Sequence, residues 1–242
     1  MRVLVVGGVA RSLSNFRGPL LRSLVAAGHD AVASAASGDE DTLSELRAWG
    51  VKFRPVTLAR AGINPIADLR TLADLRQLIV QERPDLVLAY TAKPVIYTNL
   101  AARWAGSGAV YSMITGLGYG FGGGGLRQRI VGKVLRALYR YSLKTSAGVF
   151  FQNPDDHAEF QARGLLPSGV PVTLINGSGV DLDWYTPRPL PDEPVFLLVA
   201  RLIADTGFRE SAAAPQRFKA GCSPTSLLVG AALESKRRSV AR

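Results

Sequence analysis

Residues able to do chemistry are sparse in this chain, and they gather around glycine-rich turns. The first such turn is "GGVARSLSNFRGPL", which follows the apolar run "RVLVV" at the N-terminus. Gly7 and Gly8 would let backbone come close to a ligand, while Arg11, Ser12, Asn15 and Arg17 supply donors beside it. The Arg17 guanidinium could pair bidentately with a phosphate. The plainer alternatives are that the two glycines make a tight turn and that Arg17 decorates a helix face. A second loop, "TGLGYGFGGGG" from Thr115 to Gly125, is glycine in most positions, which suits either a mobile active-site lip or a flexible surface loop. Immediately after it, "LRQRIVGKVLRALYRYSLKTS" carries six basic residues and no acidic one. Arg129, Lys133, Arg136, Arg140 and Lys144 recur at three- and four-residue steps, with Ile130, Val134, Leu138, Val131 and Leu135 as the apolar side of a basic amphipathic helix. Docking on an anionic lipid surface is one reading of that stripe, and the solvated outer face of an ordinary helix is the other.

Other chemistries find no support. Cys222 is the sole cysteine, so no internal disulfide can form, and His29 and His157 stand alone, leaving no His/Cys metal-ligand spacing. There is no G-x-S-x-G and no Ser-His-Asp arrangement. The formal net charge of +10 favours anionic partners without choosing among them. Nucleic acid is disfavoured, because no zinc finger, homeodomain-like helix set or aromatic RNA-binding strand is present. No window holds the roughly 18 apolar residues of a membrane span, and the apolar run of "MRVLVVGG" is too short for a signal-peptide core.

These turns must be positioned by a scaffold, and its pattern is plain. At 242 residues, 47% hydrophobic and 20% charged, the chain can bury a large core. Short β-branched runs alternate with helical spacing: "RVLVVGG", "DAVASAA", "VKFRPVTL", "DLVLAY", "GAVYSMI", "GVFFQN" and "PVTLING". Strands apolar on both faces and separated by helices predict a Rossmann-like α/β fold, a parallel sheet covered by helices. In "NPIADLRTLADLRQLIVQERP", Ile66, Leu69, Leu72, Leu75, Leu78 and Ile79 are expected to share a face, with Asn64 as cap and Pro65 in the first position. The proline- and acid-rich "GVDLDWYTPRPLPDEP" reads as a linker. The expected organisation is a domain over 1–180, a linker over 181–193 and an incomplete α/β fragment over 194–242, begun by "VFLLVAR" and "TSLLVGA". Gly7 and Gly8 do not follow G-x-G-x-x-G, and "ASAAS" lacks an acidic residue for a ribose, so a nicotinamide or flavin dinucleotide is not expected.

Several stretches taken together resemble the retaining glycosyltransferases of family 4: "ARAGINP" (59–65), "LVLAYTAKPVIYTNLAARWAG" (86–106), "MITGLGYGF" (113–121), "FFQNPDD" (150–156), "LINGSGVDLDWYTP" (174–187) and "LLVARLIADTG" (197–207). They run in order from residue 1 to about 210. The subgroup they are most similar to adds hexosamine-type sugars to undecaprenyl-diphosphate-linked acceptors in bacterial surface-polysaccharide assembly. The resemblance implies a GT-B architecture, with the acceptor on the first Rossmann-like domain and a UDP-sugar on the second. It implies no metal or other cofactor, and a place in the cytoplasm or peripherally on the inner face of the membrane. By position, Gly8 and Arg201 face the donor phosphates, and Arg17 and Lys93 the acceptor's anionic groups. Gly116, Gly118, Asn176, Gly177 and Ser178 line the cleft. Arg129, Lys133, Arg136 and Arg140 are the expected membrane-facing cations.

The chain departs from the family pattern in three places. Thr206 stands where a second diphosphate-binding lysine is expected, Ala92 beside Lys93 replaces a histidine of many members, and the donor-sugar carboxylate segment does not follow Gly207. The expectation is therefore a truncated enzyme with little or no transfer activity by itself. The rival expectation is a non-catalytic module that binds a lipid diphosphate or an anionic membrane.

Overall fold

A computed structural model describes residues 1–58, 64–117, 121, 125–183, 185–190, 195–199 and 225–229, the last two segments as backbone. The chain divides into two compact units, Met1–Val180 and Asp181–Arg242.

The first unit is a seven-stranded sheet in the order β3-β2-β1-β4-β5-β6-β7. Its strands are β1 (Arg2–Val6), β2 (Asp30–Ala35), β3 (Lys52–Pro55), β4 (Leu86–Tyr90), β5 (Ala109–Ile114), β6 (Gly148–Phe151) and β7 (Val172–Leu174). Every pairing is parallel. The helices between them are α1 (Ala10–Ala26), α2 (Glu40–Ala48), α3 (Pro65–Glu82), α4 (Ala92–Ala105), α5 (Leu126–Ser142) and α6 (Pro154–Ala162). This is the Rossmann-like parallel sheet that the alternation of runs predicts. Both of its faces are covered, so successive residues of one strand enter different cores. Val3 and Val5 pack with Leu13, Leu21 and Leu46 of α1 and α2, whereas Leu4 and Val6 pack with Leu75 and Ile79 of α3 and Val95 of α4. Each such fully buried aliphatic side chain contributes about 1.5–3 kcal/mol, which is why β1 is apolar throughout.

The second unit contains a parallel pair, β8 (Val195–Val199) and β9 (Thr225–Val229), corresponding to "VFLLVAR" and "TSLLVGA".

Helix α3 begins as its sequence predicts: the Asn64 side chain accepts from the amides of Ile66 and Ala67, and Pro65 occupies the first turn. Four of the six residues expected on its apolar face are buried. Leu72, Leu75, Leu78 and Ile79 are buried, but Ile66 and Leu69 are exposed. Each three-residue step falls about 60° short of a full turn, so a run of such steps winds around the helix and carries its first members out to solvent. Asp68, Thr71 and Glu82 occupy the buried arc instead. Asp68 is held by Lys93, and Glu82 by Arg54.

Candidate functional site

In the strand order, the chain leaves β1 in one direction toward β2 and in the other toward β4. Open α/β sheets bind ligands at that reversal, beyond the carboxyl ends of the strands. The residues there come from the turn after β1, from α1, and from the ends of β4, β6 and β7.

Tyr90, the last residue of β4, organises this corner. A Cβ added at Gly7 would collide with Tyr90 Oη, so the glycine is required by packing against tyrosine, and the Gly7 amide is spent on Ser34 O at 2.8 Å. The tight-turn reading of Gly7 thus has a structural basis. Gly8 remains partly exposed, and a Cβ there would lie 3.2 Å from Thr91 Oγ1. Ser12 Oγ donates to Val9 O at 2.7 Å and lies 2.7 Å from Tyr90 Oη. With the serine proton committed to Val9, the tyrosine hydroxyl is the donor in that second bond. Burial pushes the Tyr90 phenol above its ordinary pKa, opposed by the nearby Arg17 cation.

Arg17 lies over the face of Tyr90, its Cζ 4.8 Å from the ring centroid. It is 5% exposed, so it does not decorate the helix surface. Nη1 donates to Ser178 Oγ at 2.9 Å and to Phe16 O at 3.3 Å, while Nε is buried with no partner. Among the described residues no carboxylate pairs with it. Desolvation by burial lowers its pKa, and the electrostatic influence of Tyr90 works the other way. A buried guanidinium with an unused donor and no counter-ion has the chemistry to take up an anion.

Ser178 also accepts from Gln152 Nε2 at 3.3 Å, so one hydroxyl joins α1, the end of β6 and the segment after β7. Gly177 and Gly179 on either side of it have φ of 79° and 69°, left-handed conformations that suit glycine. Asn176, the next residue back, is exposed. Gly116, at φ 150° after β5, is exposed as well.

Lys93 sits differently. Its Nζ donates to Asp68 Oδ1 at 2.7 Å, with both side chains largely shielded. Asp68 also raises the pKa of the Tyr97 phenol, a smaller effect there than that of burial. The cation expected to meet the acceptor's charge therefore already has a carboxylate partner. Before it, Thr91 has φ 68° and ψ 159°, a strained conformation for a β-branched residue, costing on the order of 1–3 kcal/mol. No side chain caps the α4 N-terminus that Thr91 precedes.

Gly118 and Arg201 lie outside the described residues, as does Thr206. Phe121 of the glycine-rich loop stacks on Phe160 at 5.4 Å and meets Tyr139 edge-on, which anchors one point of that loop in the aromatic core. The four expected membrane-facing cations divide. Arg129 and Lys133 are exposed and Arg136 is half-buried, while Arg140 donates to Gly164 O and Arg163 O, each at 2.9 Å, at the end of α6. No group of His, Cys, Asp and Glu among the described residues could hold a metal ion, and no helix among them is long and apolar enough to cross a membrane.

Sequence reasoning did not select Tyr90, Gln152 or Asp68. A tyrosine ending an otherwise aliphatic buried strand was the available signal, since a buried phenol needs a hydrogen-bond partner.

A family model described as a glycosyl transferase 4-like domain matches residues 7–177. The N,N'-diacetylbacillosaminyl-diphospho-undecaprenol alpha-1,3-N-acetylgalactosaminyltransferase of Campylobacter jejuni is 25% identical over 224 residues, 87% of this chain and 58% of that protein. Among solved structures, sucrose-phosphate synthase from Thermosynechococcus elongatus superposes with a TM-score of 0.67 at 14% identity, over 95% of this chain and 62% of that one. UDP-GlcNAc 2-epimerase from Neisseria meningitidis, bound to UDP-GlcNAc, gives 0.57 at 16% identity, over 95% and 65%. The chain thus spans about three-fifths of the length of these proteins. The structural likeness establishes the fold, a GT-B-type arrangement of Rossmann-like sheet and helices.

Proposed function

Because the chain belongs to the glycosyl transferase 4-like domain family, we propose that its first unit is the acceptor-binding half of a glycosyltransferase that acts on a lipid-linked acceptor in polysaccharide assembly. The observation that carries this reading is Arg17, a buried cation with an unpartnered Nε and no carboxylate, at the ligand-binding edge of the sheet. A phosphate of a lipid diphosphate supplies the missing charge and accepts from the free Nε. Ser178 and Gln152 provide further polar contacts at the same point. The Campylobacter relative, named for a diphospho-undecaprenol acceptor and N-acetylgalactosaminyl transfer, favours this acceptor class and a hexosamine-type donor sugar; UDP as its carrier follows from the family resemblance.

In this proposal the donor diphosphate is assigned to Gly8 and Arg201 by the family resemblance alone, and Arg201 lies outside the described residues. A departing nucleoside diphosphate gains negative charge as the glycosidic bond breaks, and a fixed cation stabilises that charge more in the transition state than in the ground state. Lys93, the other cation assigned to the acceptor's anionic groups by the resemblance, already has Asp68 as its partner and so carries less of this reading than Arg17. Gly116 and Gly177 carry no side chain at positions that the resemblance assigns to the cleft wall.

Calorimetric titration of the 242-residue protein with a short-chain polyprenyl-diphosphate sugar tests the assignment. Saturable binding that weakens at least ten-fold in Arg17→Met is the expected result, corresponding to loss of one or two charge-assisted hydrogen bonds. Equal affinity in the two proteins would overturn it.

A further inference from the structure

The two faces of the sheet are covered unequally. Helices α3, α4, α5 and α6 all pack on one face, whereas the other receives only α1 and α2 among the described residues. The strand order sets α2 on the β3 side of α1. Arg11 of α1 pairs with Glu45 of α2, and Gly18 and Arg22 lie against Trp49 at the α2 C-terminus. At about 100° per residue, Phe16, Leu20 and Leu24 fall on the opposite flank of α1, the one turned toward β5 and β6. Phe16 is 58% and Leu20 38% exposed. The helix has no acidic residue, and its arginines are engaged elsewhere, Arg11 and Arg22 at α2 and Arg17 over Tyr90.

Beyond that flank the sheet itself is open. Tyr111 of β5 and Phe150 of β6 belong to the α1 face and stay half-buried, their ring centroids 6.0 Å apart, with no helix over them among the described residues. A Cβ on Gly148 would lie 3.1 Å from the Tyr111 ring, so the ring leans across β6 into the space a side chain would fill. Parallel sheets bury both faces, and an aromatic floor beside an apolar helix flank is a groove with room for an occupant. Exposure alone does not single it out, because α3 also exposes Ile66, Leu69 and Val80. Its continuation does. Met113, two residues along β5 from Tyr111, has its sulfur 4.0 Å from Gln152 Nε2, which donates to Ser178 Oγ, the hydroxyl that also accepts from Arg17. Phe16 itself offers its carbonyl to Arg17 Nη1. The anion site and the apolar groove therefore form one surface, cationic at one end and uncharged along the rest.

We propose that this groove holds the apolar chain of the acceptor whose diphosphate sits at Arg17, with Phe16 and Leu20 as its wall and Tyr111 and Phe150 as its floor. The inference rests on the acceptor reading given above and adds where the lipid goes. A ligand with an anion at one end and a hydrocarbon at the other matches the order of the surface. A second copy would cover the groove with another uncharged groove and leave Arg17 unmatched. From Phe16 to Leu24 the wall runs about 12 Å, so it takes the part of a polyprenyl chain next to the diphosphate.

Calorimetric titration of the whole 242-residue protein with farnesyl diphosphate and with methyl diphosphate separates chain from head group. Farnesyl diphosphate is expected to bind at least about ten-fold more tightly, since each buried methylene contributes roughly four-fold. In Phe16→Ser/Leu20→Ser that advantage should shrink to about two-fold while methyl diphosphate binds as before, and in Arg17→Met both ligands should weaken together. The serine pair replaces exposed side chains, so its melting temperature should match the parent. In the unmutated protein, a farnesyl diphosphate carrying a diazirine at its chain end should cross-link to peptides that contain Tyr111 or Phe150. Equal affinity for the two diphosphates, both weakened in Arg17→Met, would overturn the groove and leave the acceptor site standing. A farnesyl advantage undiminished in the serine pair, or cross-links confined to other peptides, would place the chain elsewhere and also sink the proposal. Binding of neither ligand would remove the acceptor reading and the groove with it. Light scattering that shows a dimer broken in the serine pair would assign the face to a second copy instead.

Discussion

Arg17 and Lys93 stand at the same edge of one sheet, on opposite faces, and their charges are treated in opposite ways. Lys93 is matched internally: Asp68, from the neighbouring helix α3, meets its ammonium at 2.7 Å. Arg17 receives a tyrosine face, a serine hydroxyl and a backbone carbonyl, none of which carries a full negative charge. A pair that is neutral within the fold serves the fold, since removal of either partner strands the other in a poorly solvated site. A buried cation left unmatched is held at a cost to the free protein, which an anionic ligand would offset.

The comparison breaks most visibly at Asp68. Asp68→Asn should destabilise the protein by about 2 kcal/mol, discounted from the buried-pair range because both groups keep some solvent contact. The melting temperature would then fall by several degrees, and an unchanged melt would mean that Lys93 is no better matched than Arg17. Arg17→Met should do the reverse. With the apolar stem retained and an unmatched charge removed, stability in denaturant should stay within about 1 kcal/mol of the parent. A large loss would show that Arg17 is a structural residue. Inorganic pyrophosphate at millimolar concentration should raise the melting temperature of the parent by a degree or two and that of Arg17→Met not at all. The smallest effect is expected from Ser178→Ala, which removes one neutral acceptor worth about 1 kcal/mol and should weaken acceptor binding about five-fold in the same titration.

The scaffold was legible because its signals are local. Each of the seven runs in the first unit became a strand; the five inner ones are largely buried, because an apolar stretch between helical segments has few other ways to bury both its faces, while the edge strands β3 and β7 stay largely exposed. Asn64 and Pro65 marked the start of α3 by chemistry confined to one turn. What failed was angular: Ile66 and Leu69, expected on the shared apolar face of α3, are exposed, as are Ile130 and Val134 from the expected apolar side of α5. Steps of three and four drift in opposite senses around a helix, and only the packed structure shows which arc is occupied. The site was legible by position and not by partnership. Gly8, Arg17 and Ser178 were chosen, and the fold joins Arg17 to Ser178 across 161 residues of sequence. That Gly7 answers to Tyr90, and Lys93 to Asp68, depends on contacts that no local pattern encodes.

The strand order also bears on how the protein is made. β1 leaves a ribosome first and pairs with β2 soon afterwards, but its other neighbour is β4, where Val3 meets Leu86. At roughly 5–20 residues per second, this inner strand waits on the order of ten seconds with one edge open. That edge belongs to "RVLVV", a β-prone segment with a single charge, and an unpaired edge of this kind recruits other chains. The nascent polypeptide is therefore most vulnerable to aggregation between the emergence of α1 and the arrival of β4, and slowing translation before residue 86 should lower the soluble yield more than slowing it afterwards.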